Sequence, residues 1–596
     1  PDALAAMPWP MIVHWNFNHY LVFEGFKGDH AYLNDPVTGP RRVTRAEFSE
    51  AFTGVALAFE PGPEFVAGAR PPGLAGMLGR QLKRQIHTGI AATARDGQVL
   101  ALRGPHIQPR LPFCMFYIRF VCTYPIGYPV TMENANMFLR QYYLQCLSHA
   151  SYLVGDRSTG KAIVIDPQRD VDQYINDATA EGLTITSVFE THFHADFLSG
   201  HLELASKVGA EIVYGKAAEG RVDFPIRTMH HGEHFSLGKV DLEVLETPGH
   251  TPESVCIVVR PNGPTSTPHA VFTGDTLFIG DVGRPDLLSA VGFSADDLAH
   301  QLYDSLHNKL MLLPDTTKVY PAHGAGSACG KNLSTETVST IGEQRRTNYA
   351  LAPMKVDQFV EAVTQGQSVA PLYFLFAANK NKQAHELYAD SGVIKQLSIE
   401  GVLAEQAKGT VVIDSRDDMS FAAGHLRGSI NVGLSGRFAE YVGEVMKPGT
   451  AIVLIGDSGT DAEAKMRLAR IGFDNVVGAL VDPVKAFVEN PDHVERMSRL
   501  SVEAFNERIN TVRNLDLIDI RNSGEVEQGS IKGARHISLP SLLKRLDEID
   551  KSDPVVVFCA GGYRSSIAAS LLKSHGFSDV SDLIGGYSAW SALQAL

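Results

Sequence analysis

Cysteine is scarce in this chain. Six occur in 596 residues, at Cys114, Cys122, Cys146, Cys256, Cys329 and Cys559, with no paired spacing. That argues against a disulfide framework and implies a reducing compartment, so a cytoplasmic setting is expected. Positive charge is also short: 53 Lys and Arg stand against 67 Asp and Glu, a net charge of −14. Such an acidic chain is a poor match for nucleic acid or an anionic membrane, and neither is expected as a partner. Long apolar runs are missing too. The most lipid-like stretch, residues 111–130, is broken by Pro112, Arg119, Pro125 and Pro129, whereas a spanning helix needs about 20 apolar residues. No N-terminal stretch reads as a secretion signal. What remains is an ordinary globular composition, 44% apolar, with length for about three to five domains.

One stretch is dense in chemistry: Glu190-Thr191-His192-Phe193-His194-Ala195-Asp196-Phe197. It follows the apolar run Ile185 to Phe189, which reads as a buried strand. In extended chain, residues two apart point the same way, so His192, His194 and Asp196 converge at a strand end. Imidazole and carboxylate together suit a first-row divalent metal. Further polar residues follow in tight turns: Thr247-Pro248-Gly249-His250, Thr273-Gly274-Asp275 and Pro321-Ala322-His323-Gly324. Around them, strands are expected at 152–155, 162–166, 212–214, 242–245 and 254–259, with an amphipathic helix over 171–181. This order, with the ligating turns at strand ends, resembles the metallo-β-lactamase fold over about residues 137–350.

Hydrolases of that fold, such as glyoxalase II, carry His-x-His-x-Asp-His and bind two metals. Here the last position is Phe197, and an apolar ring cannot ligate. The resemblance therefore implies one metal on His192, His250 and Asp275, a two-histidine, one-carboxylate set suited to non-haem iron and oxygen. That combination resembles the persulfide dioxygenases, which implies one Fe(II) per chain. His194, Asp196 and His323 would then orient ligands or substrate. Arg284, in Asp281-Val282-Gly283-Arg284-Pro285-Asp286, is a candidate clamp for a carboxylate or phosphate of the thiol carrier. Cys329, six residues after His323, is a candidate for contact with substrate sulfur.

Two further α/β units follow. Thr410 to Arg416 with His425 to Asn431, and Leu515 to Arg521 with Ser530 to Ile537, form an internal repeat at domain length. Both resemble rhodanese, the sulfurtransferase domain, through a buried strand ending in Asp-x-Arg. In the last unit the strand Val555 to Phe558 delivers Cys559 into a Gly-rich turn that opens a helix. Backbone N–H groups, the positive helix end and Arg564 favour a thiolate there. The middle unit has Gly456-Asp457-Ser458-Gly459 instead. A carboxylate such as Asp457 cannot accept sulfane sulfur, so this domain is expected to be inactive.

At the N-terminus, His14 to Tyr20 with Asn34-Asp35-Pro36 resembles the papain-like peptidase domain of bacteriocin exporters. The resemblance implies that His19 and Asp35 match a catalytic base and its orienting acid. No cysteine precedes them, so a Cys-His pair cannot form. The expected organisation is α/β and multidomain: a truncated peptidase-like fragment (1–68), a linker or non-native junction (69–136), a metallo-β-lactamase αββα sandwich (137–375), an inactive rhodanese-like domain (376–495) and a catalytic rhodanese domain (496–596). The functional protein is expected to begin near Met132 or Met137. The implied partners are a small-molecule thiol persulfide of the glutathione, coenzyme A or bacillithiol type, O2, and sulfite or thiosulfate. The chain is expected to form a homo-oligomer. A zinc thioester hydrolase of glyoxalase II type fused to a sulfurtransferase is the alternative.

Overall fold

A computed structural model describes residues 11–15, 19–27, 30–35, 39–45, 48, 52–61, 116–122, 136–289, 292–388 and 394–594. The chain divides into two compact units, Pro1–Thr131 and Met132–Leu596. In the first, six antiparallel strands run in the order Gly39–Thr44, His30–Asp35, His19–Lys27, Met11–Trp15, Phe52–Pro61, Phe116–Cys122. The expected hairpin is the pair His19–Lys27 and His30–Asp35, with Val22 opposite Asn34. Phe23 and Phe48, both buried, pack ring on ring. The side chains of His19 and Asp35 lie outside the described residues. Phe116–Cys122 falls in the stretch read as a junction, yet it pairs with Phe52–Pro61 along seven positions from Val55 to Pro61. The rest of that stretch, apart from Asn136, lies outside the described residues.

The second unit opens with two six-stranded sheets. One runs Arg227–Met229, Glu211–Gly215, Thr184–Phe189, Lys161–Ile165, His149–Asp156, Met137–Leu144; the other runs His234–Ser236, Asp241–Glu246, Val255–Arg260, Ala270–Gly274, Lys318–Pro321, Ser339–Thr340. Alternation along each strand feeds two cores at once. Ile163 and Ile165 point inward onto Ile257 and Phe272 of the facing sheet. Their neighbours Ala162 and Val164 point outward onto Tyr174 and Leu204, from the helices Asp172–Ala180 and His201–Val208. On the far side, Cys256 and Val258 meet Leu302 and Phe359 from Ala295–Asn308 and Val356–Thr364. The result is the αββα sandwich.

The two remaining domains repeat one design. Each has a five-stranded sheet of parallel pairs with the same strand order. In each, the arginine two residues after a strand-end aspartate folds back onto it: Arg416 Nε donates to Asp414 Oδ1 at 2.9 Å, and Arg521 Nε to Asp519 Oδ1 at 3.0 Å. The shared register corrects one expectation. Asp414 lies opposite Ile455, and Asp519 opposite Phe558. The residue that matches Cys559 is therefore Gly456, not Asp457. The middle domain still has no thiol at that point.

The three domains of this unit interlock. Arg169, buried beneath the first sheet, donates to Glu203, to Asp474 of the middle domain and to the Ala469 carbonyl. Tyr563 of the last domain donates to the Gly433 carbonyl at 2.7 Å, and Ser566 to Asn431 Oδ1 at 3.0 Å. Among the described residues, no helix is long and apolar enough to cross a membrane.

Candidate functional site

Strand register brings the ligating turns to one edge. Phe189 lies opposite Ile165, so Asp166 and the 190–197 turn emerge together. Gly274 lies opposite Pro321, which places Asp275 beside His323. Val255 N donates to the Thr191 carbonyl at 2.8 Å, and Ala150 N to the Ala322 carbonyl at 2.7 Å, stitching the two sheets at this edge. The loop 281–284 comes close enough only because residue 283 is glycine. A Cβ there would sit 1.9 Å from the Asp275 carbonyl oxygen and 3.0 Å from His250 Nδ1.

His192, His250 and Asp275 are buried and come together, each offering one ligand atom within 4.8 Å of the others. His250 Nε2 is 3.4 Å and His192 Nε2 3.9 Å from Asp275 Oδ2. Both oxygens of Asp275 are buried without a hydrogen-bond donor, an arrangement that is costly unless a cation satisfies it. Two imidazoles and a carboxylate fit a divalent metal.

The surrounding hydrogen bonds fix how the imidazoles face. The Thr191 hydroxyl donates to Asp166 Oδ2 at 2.9 Å, which leaves its oxygen to accept from His192 Nδ1 at 3.0 Å. His250 Nδ1 donates to the Arg284 carbonyl at 2.9 Å, and His323 Nδ1 to the Ser148 carbonyl at 3.2 Å. All three rings thus keep Nε2 free as a lone pair toward the site. Burial and the neighbouring His194, His250 and His323 hold His192 well below the usual imidazole range, so it is neutral and ready to ligate. Burial likewise lowers His250.

His194, Asp196 and His323 form a second buried group of the same compactness. His323 Nε2 is 3.3 Å from Asp196 Oδ2 and 3.4 Å from Asp275 Oδ1. His194 turns Nε2 to Asp166 at 3.0 Å and Glu190 at 3.4 Å. Burial alone would lower His194, but those carboxylates raise it well above its ordinary value. Phe197 is buried against His194 and His149, with ring centres 4.4 and 3.9 Å away.

One of the sequence candidates, Arg284, has different surroundings from those expected, and another, Cys329, lies beside the buried group. The Arg284 guanidinium, expected to face a carrier anion, is buried and held by both oxygens of Asp286 at 2.7 Å and by the carbonyls of Ala328 and Ser368. Its backbone carbonyl is what orients His250. Cys329 lies within 4.8 Å of Asp275 and His323 ligand atoms. Burial, then the Asp196 and Asp275 carboxylates, push its thiol well above the usual range.

His149 and Asp166 are site residues that sequence reasoning missed. His149 is fully buried, neither ring nitrogen has a hydrogen-bond partner, and its backbone bridges to His323. Asp166 and Ser148 both hold a left-handed φ, 49° and 50°. Strain of that kind in non-glycine residues clusters at functional sites.

In the last domain, Cys559 ends the strand Val555–Phe558 at the mouth of the helix Tyr563–Ser574. Its sulfur is buried and accepts from Gly562 N at 3.1 Å. The turn requires Gly562, whose φ is 100°. Arg564 sits in the first turn of that helix, and its fork is filled: Nη1 and Nη2 each donate to Glu525 at 2.7 Å.

Comparison with known proteins agrees with this division. Residues 144–323 match the metallo-beta-lactamase superfamily, 398–489 and 501–593 each match the rhodanese-like domain, and 1–64 match the peptidase C39 family. A mitochondrial persulfide dioxygenase of Bos taurus is 30% identical over 253 residues, 42% of this chain and 90% of that protein. A hydroxyacylglutathione hydrolase of a Polaromonas strain is 34% identical over 174 residues, 29% of this chain and 61% of that protein. A crystal structure of a metallo-beta-lactamase from Staphylococcus aureus aligns with TM-score 0.53 at 34% identity, covering 58% of this chain and 99% of that one.

Proposed function

Since the chain belongs to the metallo-beta-lactamase superfamily, with persulfide dioxygenase relatives and two rhodanese-like domains, we propose that it is an iron-dependent persulfide dioxygenase coupled to a sulfurtransferase. The observation that carries this reading is the buried group His192, His250 and Asp275 beside Phe197, which fills a neighbouring ligand position with an apolar ring. These three residues would hold one Fe(II). When bound, ferrous iron supplies the electron chemistry that lets O2 react with a persulfide.

The chain's own residues do the rest. Thr191, Arg284 and Ser148 fix three imidazoles by hydrogen bonds, so the site is formed before substrate arrives. Phe197 and the buried walls exclude water. Overall, a thiol persulfide, O2 and water become the thiol, sulfite and two protons. In the last domain, Gly562 N and the helix N-terminus stabilise sulfur anion at Cys559. Sulfite sulfur attacks the outer sulfur of a Cys559 persulfide, the S–S bond breaks, and Cys559 leaves as thiolate while thiosulfate forms. The reverse direction loads Cys559 from thiosulfate.

A second reading has its own observation. His194, Asp196 and His323 form another compact buried group, and a hydroxyacylglutathione hydrolase is among the relatives. That favours a two-metal thioester hydrolase. Metal analysis of the full chain tests the two: about one iron per chain supports the dioxygenase, and two zinc-type ions per chain support the hydrolase.

A further inference from the structure

The turn that carries His192 runs on through His194 to Ser199 with neither helix nor strand, and nearly all of it is buried. Its backbone groups have no helical turn or neighbouring strand to pair with, and leaving them unpaired away from water is costly. The partners come from outside the sandwich, most of them from the two residues that flank the short helix Phe374–Lys380. Asn381, at its C-terminal end, donates through Nδ2 to the carbonyls of His194 and Phe197, both at 2.8 Å, and accepts from Ser199 N at 2.9 Å. A primary amide offers two N–H donors and an acceptor from one planar group, and Asn381 uses all of them on this loop. Tyr373, at the N-terminal end, donates to the Asp196 carbonyl at 3.0 Å. The Arg470 carbonyl of the middle domain accepts from Leu198 N at 2.7 Å.

The helix is itself seated on the middle domain, and its residues fall between the stretches that match the two families. Lys380 Nζ donates to the Gly472 carbonyl at 3.2 Å and to Asp474 Oδ2 at 2.6 Å. A Cβ at Gly472 would lie 3.2 Å from Phe376 Cε1 and 3.6 Å from Leu198 Cδ2, so this turn of the middle domain touches both the helix and the loop. On the other side, the Tyr373 ring lies against Gly443 of the helix Phe438–Val445, where a Cβ would sit 2.3 Å from Tyr373 Cδ1. Tyr373 and Asn381 are each 1% exposed. The clamp therefore runs without a break from the middle domain, through the helix, to the loop of His192.

We propose that Asn381, with Tyr373, is a positioning residue of the metal centre, and that the middle domain, which has no thiol at the active position, is the outer support of the metal loop. Asn381 touches no ligand atom. It fixes the backbone from which His194 and Phe197 project, which keeps the His194 ring turned to Asp166 and leaves His192, His250 and Asp275 as the ligand set. The proposal rests on those three residues holding a metal, whichever reaction follows.

The test is titration of cobalt(II) into the metal-free full chain. Its visible bands report ligand geometry, and competition with a chromogenic chelator reports affinity. Asn381→Asp keeps the shape and the acceptor for Ser199 N but loses both donors. It should weaken cobalt binding about tenfold and shift the bands, which a merely structural role would not do. Tyr373→Phe keeps the ring and loses only the hydroxyl, and should shift the bands in the same sense with a smaller loss of affinity. Unchanged bands there would count against the role even where Asn381→Asp does not fold. Gly443→Ala, made in the middle domain, displaces the Tyr373 ring and should move the bands as well. Parent-like affinity and bands in Asn381→Asp would overturn the positioning role, and parent-like values in Gly443→Ala would overturn the part given to the middle domain. A parent chain that binds no cobalt would overturn the metal centre itself, and this role with it.

Discussion

Cys559 and Gly456 follow the same register position in two sheets of the same strand order. One delivers a thiol into a glycine turn, and the other delivers nothing. A thiol cannot simply be restored at Gly456. A Cβ there would sit 2.7 Å from Thr460 Oγ1 and 2.8 Å from Ser415 Oγ, and the position matching Arg564 is Asp461. Gly456→Cys in a Cys559→Ser background should therefore give no transfer of sulfur from thiosulfate to cyanide. Turnover within tenfold of the parent would show that the middle domain needs only a thiol.

Phe197 is predicted to set the metal count. Its ring packs between His194 and His149, where an imidazole would add a ligand atom. Phe197→His should raise bound metal from about one to about two ions per chain, measured by elemental analysis after chelation and reloading. An unchanged count would mean that His194, Asp196 and His323 do not form a latent second site.

Asp166 should act through the histidines. It accepts from Thr191, which positions His192, and lies 3.0 Å from His194. Asp166→Ala should weaken metal affinity about 10–100-fold, read by competition with a chromogenic chelator. Parent-like affinity would rule out that role.

Much of this was legible in the sequence because the candidate ligands sit in tight turns at strand ends, and turns announce themselves by Gly and Pro. The Asp-x-Arg strand ends likewise marked the repeat. Other features depend on tertiary contact. His149 lies 43 residues before His192 and reaches the site through tertiary contacts, its bridge to His323 and its packing on Phe197. Asp286 stands two residues from Arg284, but nothing local reveals that the Ser368 carbonyl also occupies Arg284, or that Gly456 rather than Asp457 matches Cys559. The strand Phe116–Cys122 lacks alternation strong enough to stand out, and its pairing with Phe52–Pro61 supplies what the local pattern lacks.

Glu444 makes stability depend on pH. Burial, then Glu440, push its carboxyl from 4.5 up to about 8 in the folded chain. Folding then favours the protonated form, so this group costs nothing below about pH 4.5. Stability is lost as pH rises from there to about 8, after which the loss levels off. Glu444→Gln should lie near the parent's thermal midpoint at pH 5 and exceed it by several degrees at pH 8.5. Equal midpoints at both values would show that the carboxyl is not held neutral.

Oxygen uptake tests the central claim most directly. Iron-loaded full chain is given glutathione persulfide and then coenzyme A persulfide, with sulfite and thiosulfate followed, beside a Cys559→Ser variant. The account predicts oxygen uptake by both proteins, with thiosulfate from the parent and sulfite from the variant. No uptake with either persulfide, together with hydrolysis of a glutathione thioester, would contradict it.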